Sequence, residues 1–202
     1  MPDEAAARRE ELIGKVRAAY GELDAEIRAF AGTVSLVCPA GCGRCCHTPS
    51  EKIEASVLEM LPLAAYLAET GRAEVLLSQD ELLTRDAPCI FYDPQGHPSM
   101  KGCCTVYAFR PLFCRLFGFS ALADKRGKPR GVICAFLKTQ HPRLSARINA
   151  AISKGAPAPD MAAWERRVSL MDPNLGMRKF PINIALKQVL ERQGLHAALS
   201  AG

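Results

Sequence analysis

Leu12, Val16, Tyr20, Leu23, Ile27 and Phe30 recur at three- and four-residue spacing through an otherwise charged stretch from Asp3 to Phe30. Such a stripe predicts one long amphipathic helix with Gly32 just beyond it, its apolar face turned to the core of its own domain. The run TVSLV, residues 33–37, then reads as β-rich. Thr48-Pro49-Ser50-Glu51 supplies cap-type hydroxyls and a proline ahead of a helical pattern from about Ile53 to Thr70. Gly71 closes that helix, and Pro62, which lacks an N–H, can kink it. A further short helix is expected around Asp80 to Arg85.

From Ala87 to Phe136 the helical period disappears, and Gly, Pro and Cys punctuate short apolar runs: APCIFYDPQG, CCTVYAFRPLFCRLFGFS and KRGKPRGVICAF. DPQG and KRGK have turn chemistry. Few regular elements are available to hold this stretch rigid, so bound metal is expected to organise it. Helix returns from about Arg143 to Lys154. A GAPAP linker then leads to Asp160 as the cap of a helix reaching about Met171, DPNLG breaks the chain, and a last helix runs from Ile182 to Gln193. The fold expected is mostly α with an irregular, cysteine-rich, metal-organised middle and few short strands. Its parts are an N-terminal helix (1–32), a cysteine-cluster metal-binding domain (33–140) and a C-terminal helical segment (141–202), packed as a single compact unit.

Composition narrows this picture. The 202 residues, 49% apolar and 23% charged, suit one globular domain. MPDEAAARREELIGK at the start mixes charges and has no apolar core, so it resembles neither a secretory signal nor a transit peptide. The longest uncharged apolar run, Met60 to Ala68, is far below the roughly 20 residues of a membrane helix. A cytoplasmic, membrane-free protein is expected. Thiols stay reduced there, and nine cysteines is an odd number, so metal ligation is favoured over a disulfide framework. The formal charge of +5 would ordinarily suggest an anionic partner. A four-thiolate zinc or [4Fe-4S] site carries about −2, however, so two such sites would nearly neutralise the chain, and nucleic acid is not expected.

Four of the cysteines fall within CPAGCGRCCH, residues 38–47. The spacing Cys38-x-x-x-Cys42-x-x-Cys45 lets three sulfurs converge on one centre. Cys46 is different, because neighbouring residues in extended backbone point apart, and it would suit a second centre. Cys89, Cys103, Cys104, Cys114 and Cys134 are scattered and reach a site only if the fold returns them to it. Eight ligands would make two four-thiolate sites and leave one cysteine over; the alternative is one site plus five buried, inert thiols.

Zinc and iron–sulfur centres both accept four thiolates. Structural zinc usually shows paired Cys-x-x-Cys knuckles or histidine ligands, whereas this chain has one clear Cys-x-x-Cys and no finger-spaced histidines. Lys101, Arg110, Arg115, Lys125, Arg126, Lys128 and Arg130 also gather near the thiols, and Arg110 and Arg115, flanking Cys114, could donate to sulfur and tune a cluster. The radical S-adenosylmethionine enzymes share the Cys38–Cys45 spacing, but their barrel needs a succession of βα units that this chain lacks. His47 follows the cysteines as a candidate ligand or hydrogen-bond donor. His97 and His141 precede prolines in loops and have no acid–base signature. Nucleotide-binding loops and a serine nucleophile elbow are missing.

CPAGCGRCCH, then APCIFYD, then CTVYAFRPLFCRLFGF resemble the YkgJ-type cysteine-cluster family of zinc- or iron-chelating CxxxCxxCC proteins, over about Val37 to Phe136. The resemblance implies Cys38, Cys42, Cys45, Cys46, Cys89, Cys104, Cys114 and Cys134 as metal ligands. Cys104, followed by Thr-Val-Tyr107, fits the family's pattern and Cys103 does not, so Cys103 is the spare. Flagellin lysine methylases contain a similar cysteine run and an associated iron–sulfur cluster, but are longer. The expectation is an iron–sulfur protein with one or two [4Fe-4S]-type clusters, working in electron transfer or beside an oxidoreductase and so with a redox or protein partner. The alternatives are a structural zinc module acting as a binding protein, and an enzyme using a cluster to modify a protein side chain.

Overall fold

A computed structural model describes residues 2–36, 42–79, 81, 83–96 and 102–200. Helix α1 (Pro2–Thr33) forms where the stripe predicts it. Leu12, Val16, Tyr20, Leu23 and Phe30 are buried, and Ile13 and Ala19 widen the apolar face. Residues 33–36 are not the strand that TVSLV suggested. They close the helix: Leu36 N donates to Ala31 O (2.9 Å) and Ser35 N to Gly32 O (3.3 Å), with Ser35 left-handed at φ 49°. This is a Schellman turn, and Leu36 folds back to share a cluster with Phe30 and Ala31. Burial of the apolar residues there overrides their β propensity.

Helix α2 (Val57–Glu69) starts later than expected, because its cap is Ser56 and not the hydroxyls at 48–50. Ser56 Oγ accepts from Glu59 N (3.3 Å) while Glu59 Oε1 accepts from Ser56 N (3.2 Å), a capping box. Ser50 instead donates its hydroxyl to the carbonyls of Thr84 (2.8 Å) and Arg85 (3.0 Å). The residues before the cap form strand β1 (Glu54–Ser56), and α2 runs on through Pro62. The helix expected around Asp80 to Arg85 falls partly outside the described residues. Within it Glu81 lies in a 3-10 turn and residues 83–87 bend; an α-helix, α3 (Arg72–Leu77), comes earlier, entered through Gly71 at φ 66°.

The middle of the chain is irregular, as expected. Strands β2 (Tyr92–Asp93) and β3 (Cys103–Cys104) pair antiparallel, and helix α4 (Leu112–Leu116) follows. Strands β4 (Ser120–Ala123) and β5 (Pro129–Val132) form a hairpin, and α5 (Ala135–Gln140) comes next. The predicted turns are present. Asp93 Oδ1 accepts from Gln95 N (2.8 Å), and Asp124 Oδ1 accepts from Arg126 N (2.8 Å) and Lys128 N (3.0 Å) around Gly127.

Helices α6 (Leu144–Ser153) and α7 (Met161–Ser169) match the pattern, with Asp160 Oδ1 accepting from Ala162 N and Ala163 N as predicted. DPNLG is less a break than a short helix, α8 (Pro173–Gly176), capped by Asp172. Strand β6 (Lys179–Pro181) then pairs antiparallel with β1 and leads into α9 (Ile182–Ser200). Helix α2 packs against both α1 and α9, which makes the main core, and the thiol-bearing segments line one part of it. A second core joins Phe30, Val34 and Leu36 to the β4–β5 hairpin, α5 and α6. Among the described residues no helix is long and apolar enough to cross a membrane.

Candidate metal centre

Cys45 and Cys46 lie on a 3-10 turn, Arg44–His47, opened by Gly43. Cys46 N donates to Gly43 O (2.9 Å), and Thr48 Oγ1 donates to Cys45 O (3.0 Å). In such a turn neighbouring side chains are separated by about 120° rather than pointing to opposite faces. The two adjacent thiols therefore reach one place, which an extended backbone would have prevented.

Three remote segments bring the other sulfurs. Cys89 sits in a loop held by Asn183 of α9, which is buried. Asn183 Oδ1 accepts from Ile90 N (3.1 Å), and its Nδ2 donates to the carbonyls of Pro88 (3.0 Å) and Thr84 (3.1 Å). Cys104 comes from β3, opposite Tyr92. Cys114 lies in α4, whose first N–H, at Leu112, donates to Glu59 Oε2 (3.0 Å). Glu59 is itself buried and paired with Lys179. These are positions that local sequence reading missed; only Glu59 had a signal, as the last residue of Ser56-x-x-Glu59.

The Cys46 thiol lies beside the sulfurs of Cys104, Cys45 and Cys89, and their proximity, with burial, pushes it far above the usual thiol range. The same contact with Cys46 lowers Cys45 to about 7, against the opposing effect of burial and with help from the charge of Arg110. Cys104 is likewise lowered to about 7, first by Cys46, then by the Val106 N–H and Arg110. Cys114 is driven up, chiefly by burial and then by the nearby Cys89 and Cys45, with Arg110 opposing. Cys45, Cys46, Cys89, Cys104 and Cys114 thus form one group of interacting thiols within the main core.

Arg110 acts on these sulfurs through its charge. Its hydrogen bonds run from Nε to Tyr107 O (3.0 Å) and from Nη1 to Cys114 O (3.1 Å), and its guanidinium lies 3.6 Å from the Tyr107 ring centre. Arg115 holds backbone. It donates to Arg110 O (2.8 Å), Ala108 O (2.5 Å) and Asp24 Oδ2 (2.6 Å), and stands 4.5 Å from the Tyr20 ring centre. It ties the cysteine-bearing loop to α1.

The remaining candidates lie elsewhere. Cys42 bridges Cys103 through the backbone. Cys134 packs against the second core, and its sulfur accepts from Leu137 N (3.4 Å) as the cap of α5. His47 is exposed and meets Tyr92 edge-on, with ring centres 5.5 Å apart. Cys38 and His97 lie outside the described residues. Among the described residues no group of three or more His, Cys, Asp or Glu side chains is already arranged to hold a metal ion. The five interacting sulfurs lie beside one another. Their chemistry nonetheless fits a thiophilic metal: a set of thiols, two already titrating near 7, beside a fixed positive charge.

A cysteine-rich metal-binding domain is what this arrangement defines. Residues 37–135, just under half of the chain, match the model of the CxxCxxCC family, described as a "putative zinc- or iron-chelating domain". No curated protein and no solved structure matches the chain. Asp24, Lys179 and Asn183, which brace the centre, all lie outside the matched segment.

Proposed function

We propose that the chain is an iron–sulfur protein whose centre is built on Cys45, Cys46, Cys89, Cys104 and Cys114. The observation that carries this reading is the convergence of sulfurs from four chain segments beside Arg110. A cluster bound by thiolates has negative charge that a fixed guanidinium such as that of Arg110 offsets. Bound there, the cluster would supply one-electron redox chemistry. The chain's own residues would keep water from it, with α1, α2 and α9 as walls, and Arg110 would favour its more negative state. A redox or protein partner follows from such a role.

A second reading, a structural zinc site, is favoured by the mutual contact of the sulfurs. Four thiolates on one ion at about 2.3 Å stand roughly 3.8 Å from each other, close to the spacing of hydrogen-bonded sulfurs. Anaerobic purification followed by iron, zinc and acid-labile sulfide determination separates the two. The first reading expects brown protein with iron and sulfide in equal amounts and absorption that bleaches on reduction. Colourless protein with stoichiometric zinc and no sulfide would replace it with the second.

A further inference from the structure

Cys42 and Cys103 face each other across an isolated antiparallel bridge. The hydrogen bond beside them runs from Gly43 N to Gly102 O (3.3 Å), joining the residue after Cys42 to the residue before Cys103. That pattern makes Cys42 and Cys103 a non-hydrogen-bonded pair, in which Cα atoms are about 4.5 Å apart and side chains leave the same face at their closest approach. Disulfides span Cα separations of about 4.4–6.8 Å, so the backbone already has the required geometry. A glycine makes this approach possible: a Cβ at Gly43 would lie 2.8 Å from the Cys103 carbonyl carbon.

The pair is also set apart from the metal centre. Successive strand residues alternate faces, so Cys103 and Cys42 share one face of this small ribbon and Cys104, with the interacting sulfurs, is on the other. The Cys103 sulfur rests against Gly96 in the Asp93–Gly96 turn, and a rotation about χ1 turns it toward Cys42. Both thiols are half-buried, within reach of a small reagent.

We infer that Cys42 and Cys103 form a cross-strand dithiol–disulfide site, apart from the metal centre, that takes a low-molecular-weight disulfide as its oxidant. One thiol of the pair, as its thiolate, attacks a sulfur of the oxidant. The S–S bond of the oxidant breaks, a mixed disulfide forms and one small thiolate leaves. The second cysteine gives up its proton and attacks the mixed disulfide, forming the Cys42–Cys103 bond and releasing the other small thiolate. Two cysteines are oxidised, two equivalents of small thiol are produced, and the protons pass to them through solvent. The site gives a role to Cys103, which the family pattern leaves spare, and takes Cys42 out of the ligand set that the resemblance implies.

The test treats the full-length, metal-loaded protein with oxidised glutathione, alkylates the remaining thiols, and sequences the proteolytic peptides by fragmentation. The expected result is a linkage between Cys42 and Cys103, abolished by Cys103→Ser, with the bound metal of wild type and variant unchanged before and after oxidation. Alkylation of both residues, arrest at a glutathione adduct, or linkage of Cys103 to a different cysteine would overturn the inference. Metal loss in step with the linkage would place Cys42 among the ligands and overturn its separation from the centre. The iron, zinc and sulfide content of the untreated protein judges the proposed function separately.

Discussion

Cys114, inside one short helix, and Cys134, at the cap of another, both lie in the irregular middle of the chain, and the family resemblance treats both as ligands, yet they end in different cores. Cys114 is buried in α4 beside the sulfurs of the main core, and its thiol is pushed up by burial and by Cys89 and Cys45. Cys134 meets the second core, where its sulfur accepts the Leu137 N–H at 3.4 Å and so serves as a helix cap. The difference lies in what surrounds each helix. Helix α4 is gripped by remote carboxylates, Glu59 at its first N–H and Asp24 through Arg115, while α5 follows a hairpin that packs against α6. A cysteine's chemistry here depends on which core receives it, and its spacing along the chain does not reveal that.

Cys46→Ala would break the comparison most severely if it proved harmless. It removes the thiol that contacts three others, so metal content should fall to near zero and the thermal midpoint by at least about 10 °C, the shift for a few kcal/mol in a chain of this size; calorimetry reads it, and an unchanged midpoint contradicts it. Glu59→Gln comes next. The Lys179 ammonium would lose its buried partner beside the α4 N-terminus, a cost of about 3 kcal/mol in denaturant titration, and a loss below about 1 kcal/mol would show that α4 is held some other way.

The pH dependence sharpens the electrostatic half of the comparison. In metal-free protein Cys45 and Cys104 should be alkylated with a midpoint near pH 7, since both are lowered to about 7 from 9.0. A depressed acid pKa contributes stability that is fully present above about pH 9 and is lost as pH falls through about 7. Arg110→Met should raise both midpoints by less than about one unit, because its charge is a smaller cause than the Cys46 contact; midpoints that do not move would remove Arg110 from the centre. Smallest of all is Cys134→Ala, expected to cost about 0.5 kcal/mol as a lost cap and to leave metal content unchanged. Metal loss matching that of Cys46→Ala would erase the distinction between the two regions.

What the sequence made legible was local. The stripe of α1, the Asp160 cap and the turns at Asp93 and Asp124 each rest on residues within a few positions of one another. The start of α2 was misplaced because its cap follows a strand whose partner, Lys179–Pro181, lies at the far end of the chain. The strand expected at 33–37 gave way, in its described part, to a helix-closing turn because Leu36 could be buried against Phe30. In the site, the thiols themselves were visible. That Cys45 and Cys46 reach one place depends on a 3-10 turn, and the residues bracing Cys89 and Cys114, Asn183 and Asp24, are so distant in sequence that no pattern around them marks their role.

Metal-edge X-ray absorption on the anaerobically purified protein, alongside Cys134→Ala, tests the central claim most directly. The account predicts a first shell made only of sulfur in both proteins, with the same number of neighbours per metal. A shell containing nitrogen or oxygen, or one that loses a sulfur when Cys134 is replaced, would contradict it.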